Sequence, residues 1–352
     1  MKKRNLKRFM LMAVLLVIIL GTGFQIEMQE TEREDQKAST QNITNDMVIP
    51  GGMPIGIYMH TDGVFVLGTE AIVGLDGGEH EPAANLVNSG DYIIAINQIK
   101  VQSKSDLIRE IRELSSDEVI LKLRREQEEI EVKLHAVQGT DRQYKLGIWI
   151  RDSAQGLGTI TFLTQNYEFG ALGHGIHDSD TDELLEISEG RVYETRILRI
   201  EKGVKGTPGG MEGMIIYNRY NILGSIQENT ESGIFGTIEK PESLTGKQEM
   251  VYVGNKNSVK SGPAVIRCCV EGKVKEYEIE IQKLHFFALD KNKGMVIHVV
   301  DEELLEVAGG IVQGMSGSPI LQNGKLVGAV THVLVNDPTR GYGIFIEEMM
   351  KQ

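Results

Sequence analysis

Gly314-Met315-Ser316-Gly317-Ser318-Pro319 surrounds one apex serine with small residues. Such a stretch lets the backbone turn tightly with its amide N–H groups facing one hollow, the setting a nucleophile beside an oxyanion hole requires. A serine hydroxyl is a poor nucleophile near neutral pH, so it needs a base, most often histidine, and a third group that fixes the base's tautomer. Among the 8 histidines, His174 stands apart in Phe169-Gly170-Ala171-Leu172-Gly173-His174-Gly175-Ile176, because its glycine neighbours leave room for a serine and a substrate to approach the ring. His177 is the runner-up. His298 and His332 lie in apolar, strand-like runs and read as packed or half-exposed; His60, His80, His135 and His285 lack a glycine setting. The blander alternatives are a Gly-Ser loop that only turns the chain and a surface-turn histidine. The carboxylate stays open: Asp178, Asp180 and Asp182 resemble a solvated loop, Asp290 and Asp301 precede the serine, and Asp337 fits a turn.

The elements that must position these residues are short strands. The 352-residue chain exceeds the usual single-domain size, and its 40 glycines against 8 prolines favour many turns between strands. A net charge of −13 without a basic cluster in the globular part argues against nucleic acid as the main partner. Adjacent Cys268 and Cys269 give neither a disulfide framework nor a metal site. Residues 1–24 join a basic flank to the apolar run Phe9–Leu20 and read as a signal anchor that stays uncleaved or is cleaved slowly; a buried helix is the alternative. Residues 25–47 read as a polar linker.

A first unit spans 48–138, with strands at Ile55–Met59 and Gly63–Gly68, a short helix at Glu81–Val87, a turn into a strand at Gly90–Asn97, a helix capped by Ser105 and ending at Leu114, and paired strands at Glu118–Leu123 and Glu128–Leu134. Residues 139–352 change to short glycine-rich strands, including Gly147–Ile150, which point to an antiparallel sandwich or barrel. Ile320–Val330 reads as a hairpin about Asn323-Gly324, and Glu302–Leu305 holds at most one helical turn.

Pro82-Ala83 followed by Gly90-Asp91-Tyr92-Ile93 and a later helix resembles a permuted PDZ domain of bacterial exported proteases. That resemblance implies a β-sandwich with two helices, in which Ile55-Gly56-Ile57 matches the loop that receives a peptide end. Gly-x-Ser-Gly-Ser-Pro resembles the signature of trypsin-like serine peptidases. With Leu172–Ile176, Gly309–Ile320 and Gly328–Val333, the chain resembles the stage IV sporulation protein B serine peptidase family of endospore-forming bacteria. The fold this implies is mainly β: an N-terminal membrane anchor, a PDZ domain, then a trypsin-like double β-barrel peptidase domain. The resemblance matches His174 to the base, Asp301 to the orienting carboxylate and Ser316 to the nucleophile; the Gly314 and Ser316 amides would hold the oxyanion.

No metal or organic cofactor is needed for that chemistry. By the same resemblance, the enzyme would be membrane-anchored in the space between the forespore and mother-cell membranes and could be released by self-cleavage. Its substrate would be a membrane-bound regulatory subunit of an intramembrane protease, whose activation matures a late sporulation sigma factor; the PDZ groove would bind its own or another chain's peptide end. The competing readings are a non-catalytic PDZ module that recruits a membrane partner, and a general exported quality-control protease.

Overall fold

The computed structural model describes residues 47–241, 244 and 249–351. The anchor expected at 1–24 and nearly all of the linker lie outside the described residues, and among those described no helix is long and apolar enough to cross a membrane.

Alternation of apolar and polar residues every second position lets a strand bury one face, and here it closes two barrels. The strands Pro54–Thr69, Ile148–Leu163, Glu168–Ala171, Gly233–Ile238, Ile222–Thr230 and Ile187–Glu201 pair successively, and the last returns to the first. Ile55, Ile57, Met59, Ile160, Val192 and Ile226 fill this first barrel. A second ring runs through Gly262–Cys268, Lys275–Leu284, Met295–Val299, Asp337–Phe345, Lys325–Leu334 and Pro319–Gln322, and closes on its first strand. Ile266, Tyr277, Ile279, Ile297, Met315 and Val330 fill it. Met47–Pro50 links the two, pairing with Leu163 in one barrel and with Val251–Val253, which runs parallel to Lys325–Leu334, in the other. The Asn-Gly hairpin forms as expected, with Asn323 at φ 53 and Gly324 at φ 73.

The first unit is an insertion into this first barrel, which corrects the boundary at 138. The Ile55–Met59 and Gly63–Gly68 expectations merge into one strand, whose first half lines the barrel while Val64 and Val66 pack in a separate core with Ile93, Leu107, Leu121, Leu123 and Leu146. The chain re-enters the barrel along Ile148–Leu163, whose first residues still pair with the Phe65–Thr69 end. Segment 81–87 makes turns instead of a helix, with Asn85 at φ 61 interrupting it. The remaining helix, Lys104–Arg112, is capped by Ser103 and not Ser105, because Asp106 sits at the position that reciprocates: Ser103 Oγ accepts from the Asp106 amide and donates to its carboxylate.

Candidate active site

Ser316 lies at the entrance of Pro319–Gln322, in a run of tight turns where Met315 N–H donates to Val312 O and Ser318 N–H to Met315 O. Gly314 and Gly317 take φ values of 98° and 95°, which glycine adopts without a Cβ penalty. Gly317 is also required for closeness, since a Cβ there would lie 2.0 Å from the Thr159 carbonyl oxygen. The first barrel holds this loop from the other side: Thr159 N–H donates to Ser316 O at 3.0 Å, Thr159 Oγ1 to Gly314 O at 2.8 Å, and Thr161 Oγ1 to Gly317 O at 2.8 Å. Among the described residues, neither the Gly314 nor the Ser316 amide donates a hydrogen bond, so both stay free for an oxyanion.

The histidine arrives from the first barrel. Glu168–Ala171 ends in two left-handed residues, Leu172 at φ 69 and Gly173 at φ 72, and Leu172 N–H donates to Thr159 O. Thr159 therefore bonds both the serine loop and the segment leading into His174. The His174 ring lies 4.9 Å from that of His332, tilted by 33°, and His332 follows directly on Thr331. His174 Nδ1 is 2.8 Å from Gly175 O. A carbonyl only accepts, so Nδ1 carries the hydrogen and Nε2 is the basic nitrogen. Burial pushes the His174 pKa below its ordinary value, opposed by the Gly175 bond and assisted by His177, which keeps the imidazole neutral. Burial first, then His174, also lowers His332. The Ser316 hydroxyl donates to Thr331 O at 2.7 Å and makes no hydrogen bond to His174 among the described residues; a turn about its χ1 bond would be needed to hand over the proton.

Asp301 lies elsewhere. It caps the helix Glu302–Ala308, which is longer than the single turn expected, with one oxygen accepting from Leu304 N–H at 3.0 Å and the other from Glu278 N–H at 3.1 Å. Asp290 caps the turn Lys291–Lys293 and pairs with Lys293 at 2.7 Å, although its charge reaches His332. Asp178 and Asp180 pair with Arg151, Asp337 with Arg340, and Glu231 with His177 at 3.3 Å. Among the described residues no carboxylate bonds His174; the Gly175 carbonyl fixes its tautomer.

The model of the SpoIVB peptidase S55 family matches residues 142–350, more than half of the chain. The chain belongs to this family. It is a serine peptidase of the SpoIVB type, with a protein as substrate, and the match leaves out the strand Pro54–Thr69 that closes the first barrel. No curated protein matches the chain significantly. Among solved structures, the PDZ domain of the SdrC-like protein of Listeria innocua is 24% identical over 26% of this chain and 94% of that one, with a TM-score of 0.22. The corresponding domain from Listeria monocytogenes is 21% identical over 25% and 87%, TM-score 0.21. The Rv3671c protease of M. tuberculosis, in an inactive form, is 12% identical over 56% and 82%, TM-score 0.28.

In this SpoIVB-type peptidase, Ile55-Gly56-Ile57 does not offer a peptide groove, and that expectation is corrected. Gly56 is paired with Leu157 on one side and Tyr193 on the other, and Ile55 and Ile57 are buried in the barrel, so no strand edge is left. The open edge of the inserted unit is Ile148–Arg151, which among the described residues pairs only with the Phe65–Thr69 segment and exposes Trp149 by 58%. The helix Lys104–Arg112 is fastened to it where Lys104 N–H donates to Asp152 at 2.8 Å. The missed signal is Leu146-Gly147-Ile148, the same apolar-Gly-apolar pattern, with Gly147 at φ 64.

Proposed function

We propose that this peptidase is a sporulation endopeptidase that cleaves itself and a membrane-bound regulatory subunit of an intramembrane protease, thereby starting the maturation of a late sigma factor. It works from the outer face of a membrane, between forespore and mother cell, held by the basic and apolar segment at 1–24. The observation that carries the enzymatic core is the joint hold of Thr159 on the Ser316 loop and on the segment that leads into His174.

In this mechanism Ser316 turns from Thr331 O toward His174, Nε2 takes its proton, and Oγ attacks the scissile carbonyl. The Gly314 and Ser316 amides receive the oxyanion; removing one such donor typically costs about 2.7–4 kcal/mol. His174, now protonated, keeps its Nδ1–H on Gly175 O and returns the other proton to the leaving amine. The edge Ile148–Arg151 takes an extended peptide as an added strand, which supplies the recruiting function first assigned to Ile55-Gly56-Ile57.

Mass spectrometry after expression of wild type and Ser316→Ala tests the reading. Self-cleavage fragments are expected from the wild type alone, and equal processing of both would sink it. The Ser316 bond to Thr331 O favours one other reading, a binding module whose serine stays idle; it requires identical fragments from the two proteins. Digestion of unfolded casein would point instead to a general quality-control protease.

A further inference from the structure

The segment that carries His174 is a narrow loop wedged between the first barrel and the inserted unit. Its base is clamped by Asn229, whose side chain accepts from Ile176 N–H at 2.8 Å and donates to Ile176 O at 2.8 Å and to Leu185 O at 2.9 Å. Its far limb rests on the inserted unit, where Glu186 N–H donates to Tyr92 Oη at 2.9 Å and Leu185 packs with Phe65 and Tyr92. Its tip turns at 178–182 about the carboxylate of Asp178, which is 2% exposed. One Asp178 oxygen accepts from the Asp180 and Thr181 amides at 2.9 and 3.2 Å; the other takes Arg151 Nη1. The second Arg151 nitrogen reaches Asp180 at 2.8 Å.

Arg151 stands where the open edge strand becomes a barrel strand, and the pairing register shifts between Arg151 and Ser153. Eight residues further along that strand, Thr159 holds the serine loop. A single strand thus touches the inserted unit, the histidine loop and the serine loop. A buried carboxylate whose cation is removed is left uncompensated, so the turn at 178–182 would have to open toward water, and the loop would move with it.

We infer that Arg151 is a positioning residue, which through its ion pair with Asp178 sets the placement of the His174 loop and so makes the inserted unit a determinant of how reactive Ser316 is. This rests on the serine peptidase reading and deepens it. Displacement of a reacting group by about 1 Å costs on the order of 10²-fold in rate, whereas the Gly314 and Ser316 amides, which a small fluorophosphonate meets without engaging the peptide edge, are untouched.

The probe is an alkyl fluorophosphonate, which labels a base-activated serine whatever the natural substrate, applied to the full-length chain. Arg151→Met is expected to lower the limiting labelling rate about 10²-fold with half-saturation within threefold of wild type, Arg151→Lys to recover about a tenth to a half of it, and Asp178→Asn to lose about tenfold. Melting curves accompany each variant, so that a change in rate is read on folded protein. Wild-type limiting rates in folded Arg151→Met or Asp178→Asn would overturn the proposal. So would loss of cooperative melting in both, since the pair would then be a folding element. A wild type that labels no faster than Ser316→Ala would instead remove the peptidase reading beneath it.

Discussion

The two halves of the candidate active site are held by different physics. The serine loop is fixed by neutral hydrogen bonds from Thr159 and Thr161 and by glycines at distances no side chain tolerates. The histidine loop is fixed largely by charge and side-chain amides: Arg151 with Asp178 and Asp180, Asn229 across its base, Glu231 on His177. Neutral backbone contacts do not titrate and are little screened by salt, while partly exposed ion pairs are. Ser316, the proposed nucleophile, therefore has a rigid seat, and His174, the proposed base, has one that its surroundings can adjust.

The serine side breaks most severely at Gly317. Gly317→Ala would force a Cβ against the Thr159 carbonyl and, at 2.5 Å, the Leu172 amide nitrogen, with φ in the left-handed region. Both are backbone atoms and cannot swing aside, so a loss of about 4 kcal/mol is expected in denaturant unfolding, with fluorophosphonate labelling abolished. A variant of wild-type stability would mean that the seat is soft and the comparison false.

Acidification acts on the His174 ring. The folded His174 pKa is lowered, first by burial, so the ring is neutral and active below the ordinary value of about 6.5. Labelling rates should reach half their plateau at a pH below that value. The stability consequence has the same sign: below about pH 6.5 the unfolded chain binds the proton that the folded ring refuses, so stability falls as pH drops from there toward the folded value. A half-maximum above pH 6.5 would contradict the burial of the ring.

A smaller effect is expected at Thr159. Thr159→Val keeps shape and the amide bond to Ser316 O but loses the hydroxyl bond to Gly314 O. About 1 kcal/mol should be lost in unfolding and a few-fold in labelling rate, without a shift of the pH midpoint. A displaced midpoint would show that the two halves are less separate than their contacts imply.

Much of this was legible in the chain, for reasons that differ along it. The serine loop and the Asn-Gly hairpin are local: a few adjacent residues specify turn and strand, and Asn323-Gly324 and Gly317 reveal their constraint in their identity. Barrel closure by Pro54–Thr69 is non-local, since its partners lie some hundred residues away, and alternation alone does not say which sheet Ile55 and Ile57 enter. The same ambiguity governs the peptide expectation at Gly56: Gly56 and Gly147 both sit in apolar-Gly-apolar runs, and only the pairing of Gly56 on both sides takes it out of reach of a peptide. Ser103 against Ser105 was decidable locally from Asp106, three residues after the true cap.

Asp301 is where the resemblance and the geometry part, and it yields the smallest expected effect. Its carboxylate accepts from Leu304 N–H and Glu278 N–H, which places it under the serine side, at the start of the helix that leads through Gly309 and Gly310 to the serine loop. Asp301→Asn keeps a cap acceptor and should leave the labelling rate within threefold of wild type. Asp301→Ala removes the cap and should cost about 1 kcal/mol of stability, again with little change in rate on folded protein. A carboxylate that orients His174 would behave differently: the Asn variant would stabilise the wrong tautomer and drop the rate by about 10⁴-fold while melting normally. That result would require the helix cap to release Asp301 and the 298–302 segment to swing toward His174, and it would replace the Gly175 carbonyl as the group that orients the base.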